Sequence, residues 1–271
     1  MQIRIITLNK MSKKLTRLNY SYAKLISELV KSAKRHGFLF EIIGYEKFEK
    51  IGIDYPIYRF TVNAEGGRPF CLVAGVHGYE VAGSLSILEL FKNRDKYLNE
   101  DVCYSIYPVI NPTSFDLRQR YDDDDRDMNT LNKKTLKSKN YREIQAFYKD
   151  IKGKSFDVFL SLHEDVSAEK FYAYIFEEDK EAVYRKMITL VSGGCGILKK
   201  KKIYDDDSDG KGLVINEHDQ SFEDRLYCQD RAEISLSTET PGKLSISERI
   251  KINLANIKLF SDHISELKTK D

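Results

Sequence analysis

The chain has 271 residues, room for one large domain or two small ones, and a chain of that length buries about 75% of its unfolded surface without disulfide or metal staples. Hydrophobic residues make up 41% and charged residues 32%, which reads as a soluble, globular chain; a net charge of +2 argues against the strongly basic face of a non-specific nucleic-acid binder. The four cysteines, Cys71, Cys103, Cys195 and Cys228, form no C-x-x-C pair, so a zinc ribbon or thioredoxin motif is not expected.

Met1 to Ile6 lack the long apolar core of a signal peptide, and no apolar run approaches the ~20 residues of a membrane span. The expectation is a cytoplasmic, reduced protein with neither membrane nor nucleic acid as partner. Tyr22, Leu25, Ile26, Leu29 and Val30 recur at helical spacing within residues 20–36, and His36-Gly37 closes that helix. Residues 38–43 and 56–62 read as strands. Phe70 to Val76 is a continuous apolar strand of the kind buried on both sheet faces, followed by a helix from Tyr79 to about Asn93. Val102 to Val109 is another buried strand. It runs into a long polar segment, Asn111 to Asn140, with little periodicity, and such a segment inside a domain points to function or disorder.

Further on, Tyr141 to Lys149 predicts a short helix, Ser155 to Leu162 a strand, Phe171 to Phe176 a strand and Asp179 to Val191 a helix. The charge-rich stretch from Lys199 to Gly212 predicts a surface loop. Ala232 to Thr238 predicts a last strand, and a closing helix spans Ile246 to about Leu267. Strands alternating with helices predict an α/β fold: a mixed, largely parallel twisted sheet with helices on both faces, in a single domain over residues 1–271.

The motif that organises the chain is Gly75-Val76-His77-Gly78-Tyr79-Glu80, between the apolar strand and the amphipathic run. His77 and Glu80 are three apart, so on an opening helical turn they would be neighbours able to grip one divalent ion. A third ligand from elsewhere would complete a catalytic zinc site. Three predicted strands end at metal-capable residues, His77, His163 and Glu239. Ligands of open α/β sheets gather beyond the carboxyl ends of strands, so these distant residues are expected to converge on one crevice. Glu164 and Asp165 follow His163, and one of them is expected to orient a metal-bound imidazole.

On these residues the chain resembles the M14 (funnelin) zinc metallocarboxypeptidases, including their murein peptide amidase-like and succinylglutamate desuccinylase/aspartoacylase-like relatives. The family order is His-x-x-Glu, Asn-Pro, an Arg, Asp-Leu-Asn-Arg, a lone His and a late Glu. Here it reads His77 to Glu80, Asn111-Pro112, Arg120, Asp127-Met128-Asn129-Thr130, His163 and Glu239, covering about residues 68–265. The resemblance implies Zn2+ held by His77, Glu80 and His163, Glu239 as general base, and Arg120 facing the carbonyl oxygen. Arg118 and Arg126 are its rivals. It also implies Asn129 as a substrate-carboxylate contact and a mobile substrate-binding tyrosine, for which Tyr227 is the nearest candidate and Tyr204 another.

One departure bears on substrate. Thr130 stands where carboxypeptidases carry the arginine that binds a terminal carboxylate, and threonine has no charged fork to replace it. The run Asp122 to Asp125 nearby suits an amine-bearing substrate or is simply a solvated loop. The resulting expectation is a zinc hydrolase cleaving an amide bond in a small, cell-wall-derived peptide. The alternative with the same chemistry is an N-acyl amino acid deacylase of the desuccinylase/aspartoacylase type. The alternative of another class is a non-catalytic zinc-binding module. His218, in a polar stretch with no preceding strand, reads as surface or crevice rim, and His36 and His263 as structural.

Overall fold

Ser21 starts the first helix by accepting the Lys24 amide at 3.2 Å, and Gly37, left-handed at φ 73°, ends it. Between them lies α1 (Tyr22–His36). The computed structural model describes residues 20–48, 52–121, 126–129, 142–176 and 181–266. After α1 come β1 (Leu39–Phe48), β2 (Ile53–Val62), β3 (Arg68–Ala74), α2 (Val81–Lys92), the short α3 (Arg94–Tyr97), β4 (Val102–Tyr107) and α4 (Pro112–Leu117). They are followed by α5 (Arg142–Ile151), β5 (Phe156–Asp165), β6 (Tyr172–Phe176), α6 (Glu181–Ser192), β7 (Lys202–Ile203), β8 (Asp206–Asp207) and β9 (Leu213–Ile215). The last elements are α7 (Phe222–Tyr227), β10 (Ala232–Pro241) and α8 (Ile246–Glu266).

Eight strands form one sheet in the order β1-β2-β4-β3-β5-β10-β6-β9. The central strands β4, β3, β5 and β10 are mutually parallel, and antiparallel pairings join β1 to β2, β2 to β4 and β10 to β6. The fold is the mixed, largely parallel α/β sheet that the alternation of elements predicts. β1 and β2 are longer than their apolar runs because they pair with each other as a two-stranded ribbon over most of their length.

Residues alternate between the two faces of the central strands, as the pleat requires. Phe70, Leu72 and Ala74 of β3 join one core with α1, α2, α6 and α8. Cys71 and Val73 point the other way, into a smaller core made with Ile144 and Phe147 of α5 and Phe222 and Leu226 of α7. Ile252, Leu254, Ile257, Phe260 and Ile264 of α8 are buried, and each such side chain contributes about 1.5–3 kcal/mol relative to exposure. That is ample to seat the closing helix.

Two stretches differ from expectation. The polar segment after β4 contains α4, because Asn111 accepts the Ser114 amide as its N-cap and Pro112 needs no donor at the first helical position. The stretch from Lys199 to Gly212 contains the small β7–β8 hairpin, with Tyr204 in its turn at φ 55°. Thr130 and Asp122 to Asp125 lie outside the described residues. No described helix is long and apolar enough to cross a membrane.

Candidate metal centre and active site

β3 sits between β4 and β5, so the chain leaves it at the point where strand connections diverge. Gly75 makes the exit at φ 62°, where a Cβ would come within 2.9 Å of Val109 Cα. At Gly78 a Cβ would meet the Ser114 carbonyl at 1.9 Å, so only glycine fits. The turn is clamped by the segment after β4: Asn111 N–H donates to Gly75 O at 2.9 Å and Tyr79 N–H to Gln119 O at 3.1 Å. Glu80 N–H donates back to His77 O at 3.2 Å, and Glu80 immediately precedes α2. His77 and Glu80 therefore meet across a tight turn, not along the helical turn their spacing suggested.

The parallel register brings in the other two residues. Ala74 of β3 pairs with Leu162 of β5, and His163 pairs with Glu239 of β10. The His77 and His163 ring centroids are 5.0 Å apart. Glu80 lies between them, with Oε1 2.7 Å from His77 Nδ1 and Oε2 2.8 Å from His163 Nδ1. All three residues are 2% exposed, and their donor atoms lie within 4.8 Å of one another. Two imidazole nitrogens and a bidentate-capable carboxylate are a donor set that suits zinc. The outer nitrogens are also addressed: His77 Nε2 is 3.1 Å from Asp127 Oδ1, and His163 Nε2 faces Glu223 Oε1 at 3.9 Å. Asp127 is thus hydrogen-bonded to the outer nitrogen of His77, as carboxylates that fix the ring orientation of a metal-binding imidazole are, whereas Glu223 faces His163 without a direct hydrogen bond. The residues present thus fit a divalent cation.

Without a cation, Glu80 and the imidazoles balance one another. Burial opposes charge on His163, but Glu80, with Glu239 and Glu223 behind it, outweighs burial and pushes its pKa up to about 10. Burial likewise opposes charge on His77, and Glu80 and Asp127 raise it nonetheless. Glu80 is lowered because the two imidazoles overcome its burial. Glu239 is pushed up to about 8 by burial, with Glu80 adding to burial and the imidazoles opposing it. The folded metal-free chain therefore holds the His163 proton up to about pH 10, whereas the unfolded chain releases it near 6.5. This contribution to stability is full below 6.5 and is lost as pH rises through about 10. The raised Glu239 has the same sign, because the fold binds its proton up to about pH 8. Chelated protein is expected to show a Tm that falls steadily from about pH 6 to about pH 10 in calorimetric scans; a rising Tm would contradict the pairing.

The centre opens into a cavity of about 430 Å³ lined in part by Arg120, Asn129, Tyr79, Tyr204, Glu223 and Glu239. Arg120 Nη1 donates to Tyr79 Oη at 3.0 Å and lies 3.7 Å from Glu80 Oε1. Arg118 instead donates to the Phe115 and Tyr20 carbonyls, away from the cavity. Asn129 is held at the wall, its Oδ1 accepting the Phe222 amide at 3.4 Å and its own amide donating to Asp127 Oδ1 at 2.9 Å.

Tyr227 is the expected contact that the structure does not bring to the cavity lining. It is half-buried at the end of α7, its ring 6.1 Å from that of Phe176. Tyr204, on the β7–β8 hairpin, does line the cavity, and its hydroxyl donates to Asp165 Oδ2 at 2.7 Å. Neither carboxylate after His163 holds its ring. Glu164 accepts the Ala82 amide at the start of α2 and pairs with Arg249, because strand alternation turns it to the opposite face. Asp165 accepts from Tyr172 and Tyr204. The group facing His163 Nε2 is Glu223, fully buried on α7. Its sequence signal is the capping pattern Ser221-x-x-Asp224, which marks a helix start just before it.

Residues 67–193 match the succinylglutamate desuccinylase/aspartoacylase catalytic domain. A comparison with curated proteins gives no match. Among solved structures, a protein of Shewanella denitrificans OS217 described as a metallopeptidase is 22% identical, with a TM-score of 0.77 over 90% of this chain and 91% of that one. One of Shewanella baltica OS155, described in the same way, is 24% identical, with a TM-score of 0.75 over 89% of this chain and 91% of that one. A succinylglutamate desuccinylase/aspartoacylase of Rhodobacter sphaeroides is 16% identical, with a TM-score of 0.58 over 86% of this chain and 67% of that one. At these identities the structural likeness is one of fold, while the matched domain contains His77, Glu80 and His163. Residues 67–193 are thus similar to the succinylglutamate desuccinylase/aspartoacylase catalytic domain, and the fold of the chain is that of structures described as metallopeptidases.

Proposed function

We propose that the protein is a zinc-dependent hydrolase that cleaves an amide bond in a small peptide. His77, Glu80 and His163 would hold the zinc. The observation that carries the reading is the convergence of two imidazole Nδ1 atoms on one buried carboxylate, with Glu239 beside His163 in the β5–β10 ladder. Zinc, when bound, polarises the carbonyl, lowers the pKa of an attacking water and, as a local positive charge, favours the ionised form of Glu239. Glu239 accepts the proton of the water that attacks the carbonyl carbon and returns it to the leaving nitrogen. Arg120 keeps its charge throughout, since Tyr79, Asp127 and Glu80 outweigh its burial. It faces the oxygen on which negative charge develops. Asn129 offers its side-chain amide to a substrate carboxylate from the cavity wall. Asp127 orients the His77 imidazole through its hydrogen bond, and Glu223 places a buried carboxylate opposite the outer nitrogen of His163.

A second reading keeps the chemistry and changes the substrate: an N-acyl amino acid deacylase. The matched desuccinylase/aspartoacylase domain favours it, as does Thr130 in place of a carboxylate-binding arginine. One panel tests both. Short peptides, including diaminopimelate-containing ones, and N-succinyl and N-acetyl amino acids are offered before chelation, after chelation and after zinc is restored. Hydrolysis of at least one class is expected, lost on chelation and regained with zinc. Turnover that persists in fully chelated protein would refute the metal-dependent reading. Activity confined to N-acyl amino acids would move the assignment to the deacylase.

A further inference from the structure

Beyond the catalytic centre, the chain assembles a second group of metal-capable side chains that the proposed reaction does not use. Asp224 and Cys228 are four residues apart at the end of α7, on one side of the helix. His218 comes from the loop before it. His218 Nδ1 is 2.7 Å from Asp224 Oδ1, Cys228 Sγ is 3.2 Å from the same oxygen, and Sγ is 3.6 Å from His218 Nδ1. The three donor atoms thus form a closed triangle. A tetrahedral zinc with bonds of about 2.0–2.3 Å sets its N, O and S ligand atoms about 3.3–3.6 Å apart. The sulfur–nitrogen edge already has that length, the sulfur–oxygen edge needs to open by about 0.3 Å, and the nitrogen–oxygen edge needs to open by about 0.6 Å.

The surroundings hold this arrangement in place. The other oxygen of Asp224 accepts the Gln220 amide at 2.8 Å, and the Asp224 amide donates to Ser221 Oγ at 3.3 Å. The carboxylate is therefore anchored and oriented, with only 6% of its side chain exposed, while the His218 side chain is 55% exposed. Cys228 is an exposed free thiol. The buried carboxylate forms the inner corner and the imidazole and thiol the outer ones, which leaves an outward position for water. In the metal-free state these groups hydrogen-bond to one another, with the thiol donating to Asp224.

We propose that His218, Asp224 and Cys228 form a second metal site, for a thiophilic divalent cation such as Zn2+, at the outer end of α7. Imidazole, carboxylate and thiolate together select a borderline-soft transition ion over magnesium or calcium. The donor set differs from that of the catalytic centre, which contains no sulfur, and this difference makes the proposal separable. When the cation binds, the Cys228 proton passes to solvent and the thiolate becomes a ligand.

The test uses the full chain, reduced, chelated and then titrated with Co2+ and with Zn2+. Wild type is expected to retain a second equivalent of metal through gel filtration and to show a near-ultraviolet thiolate-to-Co2+ charge-transfer band as that equivalent binds. Cys228→Ser and His218→Ala each alter an exposed side chain, so both are expected to fold, as circular dichroism checks. Each is expected to bind one equivalent only. The band is expected to vanish in Cys228→Ser, and His218→Ala is expected to weaken cobalt binding at this site at least about 10-fold. A single equivalent in wild type would overturn the proposal. So would a second equivalent without the band, or a band that survives Cys228→Ser.

Discussion

Replacing Glu239 with Gln is expected to lower kcat/KM by about 10²- to 10⁴-fold on whichever substrate class proves active, while zinc content stays at the parent level. The size is that of a lost general base. Glutamine keeps the shape and a carbonyl oxygen but can neither take the proton of the attacking water nor return it to the leaving nitrogen. Retained metal is expected because Glu239 is not among the groups that converge on Glu80; it pairs through the backbone with His163 at the neighbouring ladder position. The fold is expected to tolerate the change. With its pKa pushed up to about 8 by burial, the metal-free protein already carries Glu239 largely neutral near pH 7, and glutamine is a neutral isostere. Kinetics on the variant and metal analysis of the same sample separate the two effects. Unchanged turnover would remove Glu239 from the chemistry; lost zinc would make it a ligand rather than a base. The acid limb of the pH–rate profile should disappear along with the rate, since that limb reports the ionisation of the base.

The parts of this site that are legible in the sequence are those with a local cause. The apolar run ending at Ala74 and the glycines at 75 and 78 announce a strand, a turn and a buried exit, and His77 and Glu80 fall inside that signal. His163 and Glu239 are legible because each lies close to the carboxyl end of a strand, and two neighbouring parallel strands bring those ends together. The groups behind them are set by tertiary packing. Glu223 reaches His163 from a helix of six residues, too short to display a periodic pattern. Glu164 and Glu223 could exchange roles on paper; the pleat decides, sending Glu164 to Arg249 and leaving the imidazole to Glu223. The sequence puts Tyr227 ahead of Tyr204 as the substrate-binding tyrosine, and the placement of the β7–β8 hairpin reverses that order by bringing Tyr204 to the cavity.

Removing the Glu80 carboxylate tests the centre more severely than removing either histidine, because both imidazoles depend on it. In Glu80→Ala, zinc affinity is expected to fall by more than about 100-fold, beyond what loss of an outer partner costs, and activity should fall with it. The metal-free variant should also report the loss directly. His163 owes its raised pKa to Glu80 acting against burial, so without that carboxylate burial gains the upper hand and the imidazole titrates at lower pH. His77 moves in the same direction, with Asp127 left as its remaining close acidic partner. An NMR titration of the chelated variant is expected to show both shifts downward relative to the chelated parent. Glu80→Gln provides the discriminating control, because it keeps the volume and one oxygen donor but no charge. It is expected to retain more zinc than the alanine variant, yet to shift the imidazoles in the same direction. If Glu80→Ala bound zinc as tightly as the parent and left His163 where it was, the carboxylate would be neither ligand nor counter-charge, and the centre would have to be rebuilt around other donors.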